Sequence, residues 1–327
     1  MGEENKTRNL PHVLIFPFPV QGHITLMSHF AKCLVSKGIK ITLVATVFIS
    51  KSFFPNPCST TSIDLETIFD GFDEGGSNQA LSTKVYIQML CFVGSNSSAT
   101  LIKKLVDTGD RPVLVYDGFL RWALEVAKQF GILSAVFFTQ SCAINNVYYH
   151  VNVSLPRLPL LQVSELPSFI SGYEPQSTWF DIIYFSHFEF RSIQFWNVMY
   201  LDKRLDDDKH YGMNLFNPET DACRSWLNGK LNGSVVYASF ESLASPEANQ
   251  MQELALALKG SDWMLFWTDQ ITNAKLVVDV WGIGITKKGK EIKMNTIKLK
   301  NLVKKMVKEG GILDKNNDEF IAKLLEN

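Results

Sequence analysis

The chain has 327 residues and a mass of 37.0 kDa, which exceeds what one ordinary hydrophobic core needs and suffices for two domains. Hydrophobic residues make up 46% of it, charged residues make up 20%, and the net charge is -1. This composition is typical of a soluble globular protein and lacks the basic excess that a nucleic-acid backbone requires, so nucleic acid is excluded as an expected partner.

Cysteine usage and the N-terminus bear on the compartment. The five cysteines are odd in number and scattered, with no close pair: Cys33, Cys58, Cys91, Cys142 and Cys223. Met1–Asn9 is polar, and the apolar run His12–Phe18 that follows is too short for a secretory signal. Since no uninterrupted apolar stretch of spanning length follows, we expect a cytoplasmic protein without integral membrane contact.

Strand-like and helix-like patterns alternate through the first half of the chain. His12–Phe18 is predicted to be a strand, a helical period begins at Ile24, Gly38 is predicted to end that helix, and Ile39–Val44 is the next strand. The unit recurs with a strand at Pro112–Asp117, a helix at Leu120–Phe130, a stop at Gly131 and a strand at Leu133–Phe138. This alternation predicts a parallel, doubly wound α/β sheet.

The second half predicts a separate lobe. The pattern weakens between Leu155 and Phe216, where the charge run Tyr200–Asp208 is either an interdomain linker or a solvated surface loop. Further elements are predicted beyond it: strands at Ser234–Phe240 and Trp263–Trp267, and helices at Pro246–Lys259, Thr272–Trp281, Ile292–Lys308 and Asp314–Leu325. We therefore place one domain at residues 1–210 and a second at residues 211–327.

An apolar stripe marks the last predicted helix. It consists of Phe320, Ile321, Leu324 and Leu325, whose spacing places them on one side of the helix. Such a stripe needs a packing partner elsewhere in the molecule.

His23 and Asp117 are the strongest candidates for chemistry. His23 lies where the first strand passes into the first helix, and Asp117 ends a second strand of the same parallel sheet. Open α/β sheets bind ligands at this carboxyl edge, and a carboxylate on one imidazole nitrogen fixes the tautomer that a general base needs. The alternative is that each residue caps the helix that follows it.

The other motifs do not indicate a dinucleotide site, a common hydrolase or a metalloprotease. Gly282-Ile-Gly284 resembles half of a dinucleotide fingerprint but lacks its third glycine, so a tight strand entry is the better interpretation. The sequence contains neither Gly-x-Ser-x-Gly nor His-Glu-x-x-His, which argues against the commonest hydrolases and metalloproteases. Trp263, Phe266 and Trp267 are expected to fill core.

Several segments resemble those of one family from end to end. Phe18–Met27 (FPVQGHITLM) resembles the N-terminal motif of plant family-one glycosyltransferases, and Tyr116–Gly118 with Trp122–Ala127 resembles their second catalytic segment. Further similar segments are Phe138–Ala143, Ser234–Ser242, Trp267–Lys275 and Asp314–Phe320. Phe69–Gly76 and Tyr200–Leu205 look most like the subgroup that glucosylates small carboxylic acids, thiohydroximates and terpenoids.

The resemblance implies a GT-B fold of two Rossmann-like domains and an inverting transfer from UDP-glucose to a small hydrophobic acceptor. It implies His23 as the base that deprotonates the acceptor hydroxyl or carboxyl and Asp117 as its partner. It implies donor contacts by Thr139 and Ser242, and recognition of the sugar hydroxyls by Asp269 and Gln270. UDP-sugar is then a co-substrate, no cofactor or metal is expected, and the protein is expected to be a monomer.

The sequence departs from the family pattern where the donor should bind. Trp263–Trp267 joins almost directly to Asp269-Gln270, so only the tail of the family's long donor-binding signature remains and the C-terminal domain is expected to be truncated. A diphosphate leaving group needs oriented N–H groups and positive charge, worth several kcal/mol. Glu241 also stands where the family has glycine, which places a negative charge beside the expected phosphates.

Two hypotheses about function follow. The first is a UDP-glucose-dependent transferase acting on a small lipophilic plant metabolite. The second is a catalytically dead relative that retains only the cleft for the small-molecule acceptor.

Overall fold

The computed structural model describes residues 11–53, 63–149, 161–162, 165–167, 193–196, 219–231, 249, 251–252, 270–282, 289–308 and 310–325. Several predicted features lie outside these residues: the charge run Tyr200–Asp208, the strands Ser234–Phe240 and Trp263–Trp267, nearly all of the helix Pro246–Lys259, and Gly284.

A parallel sheet organises the described residues between His12 and Trp196. Its six strands lie in the order β3-β2-β1-β4-β5-β6, and every neighbouring pair is parallel. The strands are β1 (His12–Phe16), β2 (Lys40–Thr46), β3 (Ile63–Ile68), β4 (Val113–Asp117), β5 (Ser134–Phe138) and β6 (Ile193–Trp196). The predicted parallel α/β sheet is therefore confirmed.

Helices connect these strands and continue to the C-terminus. They are α1 (Gln21–Val35), α2 (Val47–Phe53), α3 (Thr83–Met89), α4 (Ser95–Asp107), α5 (Trp122–Phe130), α6 (Cys142–Tyr149), α7 (Thr220–Asn228), α8 (Gln270–Asp279), α9 (Gly289–Val307) and α10 (Ile312–Leu325). The predicted stops are observed at Gly38 and Gly131, whose φ angles of 85° and 63° lie in the left-handed region that glycine tolerates without steric cost.

Two hydrophobic layers sandwich the sheet. Successive strand residues point to opposite faces, so Leu14 and Leu114 join one core cluster while Val13 and Ile15 join the other. Residues of α3, α4 and α5 complete the first cluster, and residues of α1 and α10 complete the second. Because both faces are covered, the central strands β1, β4 and β5 are nearly continuous apolar runs without alternation.

The strand order reverses between β1 and β4. From β1 the chain first builds outward through β2 and β3, and then returns to build β4, β5 and β6 on the other side. The connections that leave the carboxyl ends of β1 and β4 therefore diverge and leave a crevice, which is where open α/β sheets hold their ligands.

Among the residues that the structure describes, one helical run is long and apolar enough, by length and composition alone, to cross a membrane. It extends over Thr83–Asp107 and comprises α3, a π-helical turn at Leu90–Gly94, and α4. The sequence led us to expect no such stretch. Part of its apolar surface is buried, because Tyr86, Leu90 and Ile102 belong to the first core cluster, whereas Phe92 is 70% exposed.

The last helix packs against α1 and the sheet. Phe320 and Leu324 of α10 are buried in the core cluster that contains α1, and the rings of Phe320 and Phe30 lie 5.6 Å apart. At the surface end, Lys37 Nζ lies 2.8 Å from Asp314 Oδ1. The predicted apolar stripe thus has its partner, and that partner belongs to residues 1–210 of the chain.

Candidate functional site

His23 is placed by the first βα connection. β1 ends at Phe16, and α1 begins at Gln21, so His23 is the third residue of the helix. Ile24 beside it is buried against Ala45 and Ile49, which anchors this first turn to the second βα connection. The histidine side chain is thereby presented at the carboxyl edge of the sheet.

The structure brings His23 and Asp117 together across 94 residues of sequence. His23 Nδ1 lies 2.6 Å from Asp117 Oδ2, and the two side chains are 14% and 1% exposed. The other carboxylate oxygen, Oδ1, accepts a hydrogen bond of 2.9 Å from the backbone N–H of Phe119. Because this second hydrogen bond fixes the carboxylate from its far side, the imidazole ring has a defined partner and orientation.

The contact determines the tautomer of the imidazole. A carboxylate only accepts hydrogen bonds, so in the neutral imidazole the proton sits on Nδ1 and Nε2 presents a lone pair. Within the part of the chain that the structure describes, Nε2 has no hydrogen-bond partner. This arrangement can accept a proton from a ligand bound in the crevice.

Neither residue acts as a helix cap. The residue preceding α1 is Val20, and that preceding α5 is Arg121; neither makes a side-chain capping hydrogen bond. His23 lies within α1, and Asp117 instead holds the turn at Phe119. The capping alternative therefore does not describe the geometry.

Thr139 completes the polar surroundings of His23. It follows β5, and its Oγ1 lies 3.1 Å from His23 Nδ1. The sequence pointed to Thr139 only through the donor contact that the family resemblance implies, and that role stays a prediction. The proximity of Thr139 to His23 depends on β5 pairing next to β4, which no local pattern in the sequence reveals.

Two aromatic rings flank the imidazole. The ring centroids of Phe18 and Phe119 lie 5.4 Å and 4.9 Å from that of His23, and they lie 5.4 Å from each other in an edge-to-face arrangement. Rings at these distances interact favourably and restrict the rotation of the imidazole. They also give the crevice an apolar wall beside its base.

The other residues with predicted donor contacts are Ser242, Asp269 and Gln270. Gln270 is the first residue of α8, whereas Ser242 and Asp269 lie outside the described residues. The donor-binding roles of these residues stay predictions.

A second histidine–aspartate pair lies at the opposite end of β1. His12 Nδ1 is 2.6 Å from Asp110 Oδ2, and His12 Nε2 is 2.8 Å from Thr42 Oγ1. Because both ring nitrogens are engaged and the side chain is 7% exposed, this histidine connects β1, β2 and the loop before β4. Like His23, His12 is paired with an aspartate, but neither of its ring nitrogens is open to a ligand.

A buried carboxyl organises the loop after β3 at the same edge of the sheet. Asp70 is fully buried, and its oxygens accept hydrogen bonds from the backbone N–H of Phe72 at 2.9 Å and the hydroxyl of Tyr86 at 3.2 Å. Burial raises the pKa of Asp70 above its ordinary value, and these two hydrogen bonds only partly oppose that rise.

Replacing Asp70 by asparagine is expected to change the pH dependence of stability. A carboxyl whose folded pKa is raised stabilises the fold fully below its unfolded pKa of about 3.9, and this contribution is lost as the pH rises through the folded pKa. Asp70→Asn should remove that loss, so its unfolding free energy relative to the parent should increase with pH. Urea unfolding at several pH values between about 4 and 7 measures this. The prediction would be contradicted if the unfolding free energies of both proteins changed equally with pH.

The chain is similar to known proteins in both sequence and structure. No family model matches the chain. Flavonol 7-O-beta-glucosyltransferase UGT74F1 and UDP-glycosyltransferase 74F2, both of Arabidopsis thaliana, are 30% and 31% identical to it, each over 96% of this chain and 98% of the relative. Mogroside I-E synthase of Siraitia grosvenorii is 29% identical over 96% of this chain and 98% of that enzyme.

Solved structures share the fold. Os79 from O. sativa in complex with UDP superimposes with a TM-score of 0.82 at 22% identity, covering 95% of this chain and 99% of that one. UDP-glucose: anthocyanidin 3-O-glucosyltransferase in complex with UDP gives a TM-score of 0.75 at 18% identity, covering 98% and 100%. These likenesses extend the α/β description to the GT-B fold of plant glycosyltransferases.

The alignments with these relatives are longer than the chain itself. The alignment with UDP-glycosyltransferase 74F2 extends over 443 positions, 116 more than the 327 residues of this chain, so at least 116 of its positions have no residue of the chain opposite them. With relatives above 30% identity matched over nearly their whole length, the chain belongs to the plant UDP-glycosyltransferases.

Proposed function

We propose that this protein transfers glucose from UDP-glucose, with inversion, to a hydroxyl or carboxyl of a small lipophilic plant metabolite. The observation that carries the proposal is the 2.6 Å contact between His23 Nδ1 and the buried Asp117 at the crevice between β1 and β4. Membership of the UDP-glycosyltransferases supports the reaction class, and the flavonol glucosyltransferase among the relatives supports the choice of a small acceptor.

The chemistry follows from the orientation of the imidazole. Nε2 of His23 takes the proton of the acceptor O–H, the oxygen forms a bond to the anomeric carbon from the face opposite the leaving group, and the bond from that carbon to the UDP oxygen breaks. UDP leaves with the electron pair, and the imidazolium later loses its proton to solvent. Asp117 steadies the positive charge that develops on His23.

The surroundings of His23 suit an apolar acceptor. Phe18 and Phe119 form an apolar wall beside the imidazole, with Phe18 buried in the core and Phe119 packed against it. A ligand that covers these rings would exclude water from the reacting oxygen, which strengthens the electrostatic contribution of the dyad.

The incomplete donor-binding signature supports a second candidate function, that of a relative which binds acceptors without transferring sugar. At least 116 alignment positions have no residue of this chain, and only the tail of the donor signature is recognisable in its sequence. Several large apolar side chains of the second half are exposed, among them Trp226 at 56% and Trp281 at 47%. Exposed aromatic surface of this kind is expected where covering elements of a lobe are missing.

Calorimetric titration with UDP distinguishes the two candidates. An enzyme of this type is expected to bind UDP with a dissociation constant in the micromolar range, equivalent to about -8 kcal/mol. A matched screen of phenolic, carboxylic and terpenoid acceptors with UDP-glucose, read by the mass gain of one hexosyl unit, tests the transfer itself. Absence of heat with UDP combined with retained binding of acceptors would reject the transferase and support the acceptor-binding relative.

A further inference from the structure

A set of polar contacts fastens α8 to the edge of the sheet that carries the dyad. α8 begins at Gln270, one of the residues expected to read the donor sugar, so its placement relative to His23 matters for the proposed reaction. The contacts come from two loops of the first lobe. One follows β5, and the other contains Glu165.

Glu165 holds one side of α8 with both its backbone and its side chain. Its carbonyl accepts a hydrogen bond of 2.6 Å from the hydroxyl of Thr272, and its carboxylate lies 2.9 Å from Lys275 Nζ. Thr272 is fully buried, and Lys275 also pairs with Asp279 at 3.0 Å. Positions 272, 275 and 279 are spaced i, i+3 and i+7, so they share one face of the helix.

The carboxylate of Glu165 is itself held in place. Its second oxygen accepts a hydrogen bond of 2.8 Å from the backbone N–H of Gln162. This hydrogen bond and then the Lys275 ammonium lower the pKa of Glu165. Hydrogen bonds to the carboxylates of Glu165 and then Asp279 raise the pKa of Lys275. Both groups therefore stay ionised near neutral pH, and the loop and helix remain attached there.

The second loop connects α8 to the surroundings of His23. Ser141 donates a hydrogen bond of 3.1 Å from its hydroxyl to Asn273 Oδ1. Ser141 lies two residues after Thr139, which is 3.1 Å from His23 Nδ1. Its hydroxyl also accepts a hydrogen bond from the backbone N–H of Ile144, so the same residue anchors the start of α6.

We infer that Glu165, Ser141, Thr272, Asn273 and Lys275 form an interlobe latch that positions the start of α8 relative to His23. The latch residues are positioning residues: within the described structure, none of them is hydrogen-bonded to His23 or Asp117. The inference rests on the proposed function for its donor role, because the residue it would place is Gln270.

Charge reversal within the Glu165–Lys275 pair tests the latch. Glu165→Lys and Lys275→Glu each bring like charges together, whereas the double variant restores an opposite pair. We expect each single variant to increase the hydrogen-exchange rate of the α8 amides about tenfold and to raise KM for UDP-glucose about five- to tenfold, with kcat and the acceptor KM little changed. The double variant should recover part of both effects, because the introduced lysine cannot accept the Gln162 N–H hydrogen bond and the introduced glutamate lies beside Asp279.

Lys323→Glu is the matched control. Lys323 pairs with Glu319 at 2.9 Å on the exposed side of α10, so its reversal disturbs an ion pair of the same length elsewhere. It should alter neither the α8 exchange nor the donor KM. Unchanged α8 exchange in both single variants would overturn the latch.

The two proposals fail in different ways. Faster α8 exchange with an unchanged donor KM in an active protein would overturn the positioning role. A chain that binds no UDP would overturn the proposed function and the donor role together, while the exchange measurement would still decide whether the latch exists.

Discussion

Replacing His23 by alanine is expected to lower kcat/KM by about two to four orders of magnitude, the usual contribution of a general base. The side chain is 14% exposed at the crevice, and Asp117 keeps its hydrogen bond from Phe119 N–H when the imidazole is removed. Because Asp117 is 1% exposed and loses its imidazole partner, stability should fall by about 1–3 kcal/mol while the chain stays folded. Initial rates at saturating UDP-glucose, together with a thermal scan, measure both quantities.

His12→Ala provides the matched control, because it removes the other imidazole that is paired with an aspartate on the same strand. Both nitrogens of His12 are engaged, so its loss leaves the buried Thr42 hydroxyl without this partner. We expect this variant to lose about 1–3 kcal/mol of stability and to retain its activity per folded molecule. Parental rates from His23→Ala would show that another group removes the proton.

Replacing Phe320 by alanine is expected to destabilise the protein by about 3–5 kcal/mol, the usual cost of removing a buried phenylalanine ring. Phe320 is 3% exposed and packs on Phe30 in the cluster that fills one face of the sheet. Because domains are stable by only about 5–15 kcal/mol, this loss should lower the urea midpoint markedly and release α10 to proteolysis.

Leu325→Ala is the control for this substitution. Leu325 ends the same helix and belongs to the same sequence stripe, yet it is 42% exposed. Its truncation should cost less than about 1 kcal/mol, since surface substitutions usually change stability by no more than about 0.5 kcal/mol. Equal losses from both variants would indicate that α10 does not depend on the Phe320 contact.

Local patterns in the sequence predicted the elements that surround the dyad. Continuous apolar runs ending at Asp117 and Phe138 became β4 and β5, and the stops at Gly38 and Gly131 were found where positive φ angles end the helices. These features are decided by neighbouring residues, so they are visible in a short window of sequence. Predicted boundaries shifted by a few residues, as at α1, which begins at Gln21 instead of Ile24.

Contacts between distant segments were not predictable in the same way. The sequence identified His23 and Asp117 as separate edge residues, but the 3.1 Å approach of Thr139 to His23 requires β5 to lie next to β4. The engagement of His12 with Thr42 and Asp110 likewise requires β2 and the loop before β4 to converge on the start of β1. Nothing near His12 in the sequence distinguishes it as a buried connector.

The sequence by itself determined the fold class and the pair of residues expected to carry the chemistry, because hydrophobic periodicity and the ends of strands are local properties. It also predicted that the stripe on the last helix must pack, without indicating where. Only the tertiary structure decided that Phe320 and Leu324 pack against α1, that Glu165 holds α8, and that His23 keeps an open nitrogen among the described residues. Each of these depends on segments far apart in sequence, whose meeting is determined by the packing of the whole sheet and its helices.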